Sequence, residues 1–379
     1  MKKKKVIVGI SGGVDSAVSA LLLKEQGYEV EGMFMRNWDS MVNNDYLGNP
    51  NDLNDVCPQE IDYKDALATC QELGIKLHRV DFVQEYWDNV FQYFLTEYKN
   101  NRTPNPDILC NSEIKFKCFL NKANEMGCDY IAMGHYARIT HGENGHHIYK
   151  GSDKNKDQTY FLCQLKPSQI AKALFPIGDI TKPEVRRLAA SHNLTTSKKK
   201  DSTGVCFIGE RNFKLFLENY IPARPGEMQT MDGKVVGMHD GIMYYTIGQR
   251  HGLGIGGEGD PWFVIGKIAK TNVLLVGQGD DNTYLYSNKC YINKLNFLEE
   301  SYEKRLNNGE TLKIAAKFRY RQKDVKVEVK RFNDLYLEVK YDNVKAVTPG
   351  QECVMYDGEL LLGGGTIDTV YMDEVKREY

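Results

Sequence analysis

Residues 6–18 read V-I-V-G-I-S-G-G-V-D-S-A-V, and this stretch decides the fold. Val6, Ile7, Val8 and Ile10 form a short β-branched apolar run, as a strand buried on both faces requires. Ser11, Gly12 and Gly13 turn the chain. Asp15 or Ser16 is then placed to cap a helix whose apolar Val18, Leu21 and Leu22 recur at helical spacing. Such a strand, glycine turn and helix start present backbone N–H groups beside the positive end of a helix dipole, where glycine lets a phosphate come close. The stretch is a phosphate cradle, but it lacks Gly-Lys-Ser/Thr and is no Walker A loop.

Working outward, residues 28–35 alternate as a second strand, and 36–60 form a long polar loop rich in Asn and Asp. A helix over 61–73 stops at Gly74, a third strand covers 76–82, and 83–98 is an aromatic-rich amphipathic helix. The loop 103–111 leads into a helix over 112–126, and a fourth strand over 129–133 closes on Gly134-His135-Tyr136. This alternation predicts an α/β fold with a doubly wound parallel sheet and ligands at the C-terminal strand edge. A hairpin over 137–140 and 146–150 and helices over 157–165 and 183–192 follow. Beyond about residue 215, Gly and Pro become frequent and helical periodicity fades. Residues 228–245 and 262–276 suit a small β-rich central domain. Residues 312–367 offer at least four strands, with turns at Asn333-Asp334, Asp342-Asn343, Pro349-Gly350 and Asp357-Gly358, and suit a C-terminal β-barrel. The expected domains are 1–215, 216–282 and 283–379.

Apolar residues make up 41% and charged residues 26% of the 379, an ordinary balance for a globular chain. With a net charge of −2, any nucleic-acid surface must be local. No apolar run approaches the roughly 20 residues of a membrane span. Met1 leads through four lysines into the first strand without an apolar h-region, so no secretory leader is expected. Nine cysteines without a C-x-x-C pair point to a reducing, cytoplasmic setting and away from a zinc ribbon. Cys70, Cys118, Cys128 and Cys163 sit among apolar neighbours as small core residues.

Two other cysteines stand apart. Thr103-Pro104-Asn105-Pro106-Asp107-Ile108-Leu109-Cys110-Asn111 holds two prolines, an acid and a thiol in a stiff loop. Cys110 at a helix entrance would favour its thiolate, and Asp107 three residues earlier would serve proton transfer. The same residues also describe a turn with a capping Asp and an incidental Cys. In Lys198-Lys199-Lys200-Asp201-Ser202-Thr203-Gly204-Val205-Cys206, a basic triplet precedes a glycine turn and a thiol. That fits either a loop near polyphosphate or RNA, or a solvated lysine run before a buried strand cysteine.

Ser11-Gly12-Gly13-Val14-Asp15-Ser16 resembles the PP-loop of ATP pyrophosphatases, which cleave ATP between its α and β phosphates. Together with NPD-x-x-C at 105–110, Gly134-His135-Tyr136, Asp157-Gln158-Thr159-Tyr160-Phe161 and DSTG-x-C at 201–206, it makes the chain resemble the bacterial-type tRNA-specific 2-thiouridylase family. The likeness continues through Tyr245-Thr246-Ile247-Gly248-Gln249-Arg250, Phe318-Arg319-Tyr320-Arg321 and Pro349-Gly350-Gln351, and so covers essentially the whole length. One departure is Ala17, where many relatives carry a second Ser.

The resemblance implies that Gly9, Ile10, Ser11, Gly12, Gly13, Val14, Asp15, Ser16, Met35 and Gly134 bind ATP, with Mg²⁺ neutralising the phosphates and no protein metal site. It implies adenylation of the C2 oxygen of the wobble uridine and sulfur transfer from a Cys206 persulfide. By the same resemblance Cys110 would be the partner thiol, either attacking the inner sulfur to leave a Cys110–Cys206 disulfide or resolving the linkage after direct persulfide attack, and Asp107 would assist proton transfer. Asn105, Pro106 and Asp107 would line the base pocket, while His135, Asp157, Gln158, Thr159, Arg319, Tyr320 and Gln351 would contact tRNA. The partners are a tRNA with uridine at the wobble position and a cysteine desulfurase or sulfur-relay protein. Three rivals remain: another PP-loop adenylating ligase or amidating synthetase, an iron–sulfur cluster on Cys110, Cys206 and a third ligand such as Asp107, and an RNA-binding scaffold without activity.

Overall fold

The computed structural model describes residues 3–47, 58–143, 145–201 and 212–379. Cys206 and the Ser202-Thr203-Gly204 turn lie outside the described residues. The chain divides into two units. One holds Met1–Gln92, Pro106–Asn219 and Glu359–Leu361, and the other holds Tyr93–Asn105, Tyr220–Gly358 and Leu362–Tyr379.

The first unit is built on β1 (Lys5–Gly9), whose Val6, Ile7 and Val8 are fully buried. It pairs in parallel with β2 (Glu29–Arg36) on one side and β4 (Tyr130–Ala132) on the other. β3 (Leu77–Asp81) and the short strand Ala173–Leu174 complete the order β3-β2-β1-β4 and then 173–174. The helices α1 (Val14–Glu25) and α2 (Pro58–Leu73) connect the first three strands. Val14, Ala17, Val18 and Leu21 of α1 pack with Val6, Val8, Phe34, Ala66, Tyr136, Val185 and Ala189. Each large aliphatic side chain so buried contributes about 1.5–3 kcal/mol. Because β2 and β4 flank β1 on opposite sides, the winding reverses there. The carboxyl ends of β1 and β4 therefore bound the crevice in which open α/β sheets bind ligands.

Several expectations change on contact with the fold. The polar loop after β2 is anchored in its described part, although Met41, Val42, Tyr46 and Leu47 are exposed: Trp38 is buried against Tyr86, Phe91 and Phe216, and its Nε1 donates to Asp45 at 3.0 Å. Residues 157–165 form only a short 3₁₀ turn, Thr159–Leu162, rather than a helix. The Asp157 carboxylate accepts from the N–H and Oγ1 of Thr159, a local bond that competes with helix formation. The helix expected from residue 112 starts at Pro106, where proline's fixed φ suits the first turn, and continues as a π-helical stretch over Cys110–Cys118 to Phe119–Glu125. π-Helical turns of this kind concentrate at functional sites.

In the second unit, Trp262–Ile268, Val273–Gln278, Gly226–Gln229 and Val235–His239 form a four-stranded sheet in that order. The C-terminal strands close into a barrel. Tyr286–Phe297 pairs with both Leu337–Lys345 and Leu360–Met372, and the ring is completed by Val325–Arg331, Leu312–Lys317 and Glu352–Asp357. The sheet continues from Leu360–Met372 into the hairpin Gly145–Lys150 and Ala137–Gly142. Asp342-Asn343 lies inside the strand Leu337–Lys345 and is not a turn. Glu300–Asn307 is a helix that the fading periodicity concealed, supported by the Glu300–Lys304 pair at 2.8 Å. Among the described residues, no helix is long and apolar enough to cross a membrane.

Candidate active site

The loop between β1 and α1 has the form an anion site needs. Gly12 has φ +75, and a Cβ there would collide with the Asp62 carbonyl oxygen. Gly13, not Asp15 or Ser16, is the N-cap of α1, and no side chain caps the helix. The first-turn N–H groups of α1 therefore have no partner from the helix ladder or from a capping side chain. Among the described residues, an added Cβ at Gly13 would meet nothing closer than Ser11 Oγ at 3.5 Å, so they leave the front of the loop open. Ser16 turns inward: its Oγ accepts from Ser11 N at 3.2 Å and donates to Gly13 O at 3.0 Å. Across the crevice, a Cβ at Gly134 would stand 3.0 Å from Asp15 C and Ser16 N, so the end of β4 abuts the first turn of α1. Gly9 packs against Met133, and Met35 is buried near the carboxyl end of β2. These glycines and the uncapped helix fit a polyphosphate.

A charge network lines the same turn. Lys182 Nζ lies 2.7 and 2.8 Å from the two Asp15 carboxylate oxygens and 2.9 Å from Asp201. Tyr136 donates its hydroxyl to Asp15 Oδ1 at 2.7 Å, and burial together with that carboxylate pushes the phenol's pKa far up. Asp201 also receives Lys156 and Arg186, each at 2.7 Å. Burial alone would raise the Asp201 pKa, but the bonds from Lys156 and Lys182 hold it down at about 2. Lys199 is buried enough to lose some of its charge preference, yet Asp62 and Asp65 raise its pKa above the ordinary lysine value. Lys156, Lys182 and Arg186 were not singled out by the sequence as site residues. The only local hint was a lysine next to Pro183 at a helix start.

Cys110 belongs to the same unit as this loop and is fully buried, one helical turn beyond Pro106. It is thus inside the helix rather than at its mouth. Burial does not separate it from Cys70 or Cys163, which are equally enclosed. Asp107, in the first turn, and Asn105 just before the helix are partly exposed.

Three family descriptions match the chain in order: a tRNA methyl transferase HUP domain over residues 4–210, a tRNA methyl transferase PRC-barrel domain over 214–278, and an aminomethyltransferase beta-barrel domain over 287–367. The tRNA-specific 2-thiouridylases MnmA of Staphylococcus aureus strains JH9 and NCTC 8325 / PS 47 are each 55% identical to it over 380 residues, covering 100% of this chain and 99% of theirs. The chain belongs to the tRNA-specific 2-thiouridylase family. A 4-thiouridine synthetase–RNA complex with bound ATP is a far weaker likeness, at 13% identity and TM-score 0.32 over 55% of this chain and 46% of that one.

In this 2-thiouridylase, several residues expected at the tRNA make structural contacts, each within its own unit. His135 is buried between Phe116 and Phe175, its Nδ1 has no hydrogen-bond partner, and burial with Lys115 nearby drives its pKa well below the usual value. It is therefore neutral. Gln158 Oε1 accepts from Tyr136 N at 3.0 Å, and Asp157 accepts from Gly151 N at 3.1 Å, so the Asp157–Thr159 turn braces the His135-Tyr136 corner. In the second unit, Arg319 donates to Ile247 O at 2.6 Å and Thr348 Oγ1 at 2.8 Å. Tyr320 stacks beside Arg321, and Gln351 Nε2 donates to Thr103 O at 2.8 Å.

Proposed function

We propose that this 2-thiouridylase replaces the C2 oxygen of the wobble uridine of tRNA with sulfur, consuming ATP and releasing AMP and pyrophosphate. The observation that carries the reading is the open, uncapped glycine loop at the head of α1, in the same unit as the buried Cys110. Full-length identity of 55% to 2-thiouridylases supports it. A carbonyl oxygen is a poor leaving group. Adenylating the C2 oxygen at the α phosphate expels pyrophosphate and makes AMP the group that departs.

Gly9, Ile10, Ser11, Gly12, Gly13, Val14, Asp15 and Ser16 would hold the phosphates, with Met35 and Gly134 beside the adenosine. Lys182 and Arg186 would meet the negative charge that develops on the departing pyrophosphate. Mg²⁺ would be carried on the phosphate oxygens, where it neutralises charge. Cys206, loaded as a persulfide by a desulfurase or relay protein, supplies the sulfur. In one route the Cys110 thiolate attacks the inner sulfur and expels hydrosulfide, which displaces AMP. In the other the terminal sulfur displaces AMP directly, and Cys110 then attacks the Cys206 sulfur to free the thiolated base. Both end in a Cys110–Cys206 disulfide that an external dithiol must reduce. Asp107 assists proton transfer at a base flipped into a pocket lined by Asn105 and Pro106. His135 and the Asp157–Thr159 turn in the first unit, and Arg319, Tyr320 and Gln351 in the second, would each contact tRNA.

Methyl transfer, the activity in the family descriptions' names, requires neither a pyrophosphate loop nor a pair of thiols. Incubation with ATP, Mg²⁺, a persulfide source and unmodified tRNA, followed by mass analysis of the nucleosides, tests the reading. A product 16 mass units heavier than uridine, dependent on both Cys110 and Cys206, is expected from exchange of oxygen for sulfur. Unchanged uridine would overturn it.

A further inference from the structure

The chain passes from the second unit to the first between Asn105 and Pro106, inside the stretch that leads to Cys110. The residues just before that point are tied down at successive positions by partners of the second unit. Lys267 Nζ donates to Asn101 O at 2.9 Å. Arg102 pairs with Asp368 at 2.9 Å, donates to Ile367 O at 2.8 Å and faces Glu97. Thr103 N donates to Pro349 O at 3.0 Å, and Gln351 Nε2 donates to Thr103 O at 2.8 Å. Gly350 has φ +91, and a Cβ there would come within 2.9 Å of Thr103 N and O, so the 349–351 turn lies directly on the Thr103 peptide. Thr103 and Pro104 are buried. Beyond them Pro104 and Pro106 restrict the backbone, so an anchor at Thr103 is transmitted along the chain instead of being lost in free rotation.

We infer that Gln351, seated on Gly350, is a positioning residue that clamps Thr103 and thereby fixes the entrance to the Asp107–Cys110 turn. This duty is distinct from touching tRNA. A buried carbonyl stripped of its donor is costly, and a reacting group misplaced by about 1 Å loses about a hundredfold in rate. The clamp is an observable by itself, and only the rate measurement below rests on the thiolation reading.

The test uses the full chain with Gln351→Leu, which removes the donor, and Gly350→Ala, which pushes on the same peptide from a different residue. Amide hydrogen exchange of the segment 101–112 should quicken about tenfold or more in both variants while exchange elsewhere is unchanged. Single-turnover thiolation at saturating tRNA should fall about tenfold in both variants, whatever Gln351→Leu does to tRNA affinity. Unchanged exchange in both variants overturns the clamp. So does a Gln351→Leu protein that binds tRNA about tenfold more weakly yet reacts at the wild-type rate once saturated, since that is a tRNA contact alone. If the wild-type chain makes no thiouridine, the thiolation reading fails while the exchange result still decides the clamp.

Discussion

The Lys182 ammonium grips both carboxylate oxygens of Asp15, at 2.7 and 2.8 Å, across a sequence separation of 167 residues. Asp15 is in the first turn of α1, where a negative side chain favours the helix but also competes with an incoming phosphate. The lysine neutralises that carboxylate, and Lys156 and Arg186, which join it on Asp201, give the network three cations to two carboxylates.

Lys182→Met should therefore weaken both the fold and the first chemical step. Removing one partner of a largely buried pair, with Asp15 still partly solvated, costs on the order of 2 kcal/mol. Urea unfolding should show this loss. ATP-dependent pyrophosphate release should drop about a hundredfold, and Lys182→Arg should recover part of both because it keeps the charge.

Gly134→Ala should push the first turn of α1 away from the end of β4, because the new methyl would stand 3.0 Å from Asp15 C and Ser16 N. A stability loss of about 1–3 kcal/mol is expected from overpacking of this kind. ATP affinity, measured by equilibrium binding, should fall with it, while tRNA binding should hold.

Asp201 gives a defined acid response. Its folded pKa of about 2 lies below the ordinary 3.8, so its contribution to stability is complete above about pH 4 and is lost as pH falls through about 2. Asp201→Asn should remove that dependence. Urea midpoints for the two proteins should differ most near neutral pH and converge at the acid end.

Lys267 responds in the opposite range. It is fully buried in Trp262–Ile268 without a carboxylate partner, and burial lowers its pKa from 10.5 to about 7. The unfolded chain holds this proton more tightly than the folded one, so stability rises with pH between about 7 and 10.5, and the burial cost is full below 7. Lys267→Met should gain more stability over wild type at low pH than at high pH. A difference independent of pH would contradict it.

The strands and helices of the first unit were legible because their signals are local. The β-branched run of β1 and the apolar spacing of α1 can each be satisfied in only one way by a buried parallel strand and a helix packed over it. Where a side chain competes with the backbone, as Asp157 does by accepting from both the N–H and the Oγ1 of Thr159, periodicity predicts a helix that the chain does not form. The Cys110 helix also starts earlier than its apolar spacing predicts, because the fixed φ of Pro106 begins the first turn.

Sequence alone determined that a glycine turn follows a buried strand, that two thiols sit in unusual surroundings, and that an α/β unit precedes β-rich ones. Tertiary structure decided which distant groups meet: the Lys182 ammonium with the Asp15 carboxylate, and the Gln351 amide with the Thr103 carbonyl across 248 residues. The reason is physical. Periodicity and turn chemistry act over a few residues, whereas the partner of a buried charge or amide depends on which distant segment the packed chain brings within about 3 Å.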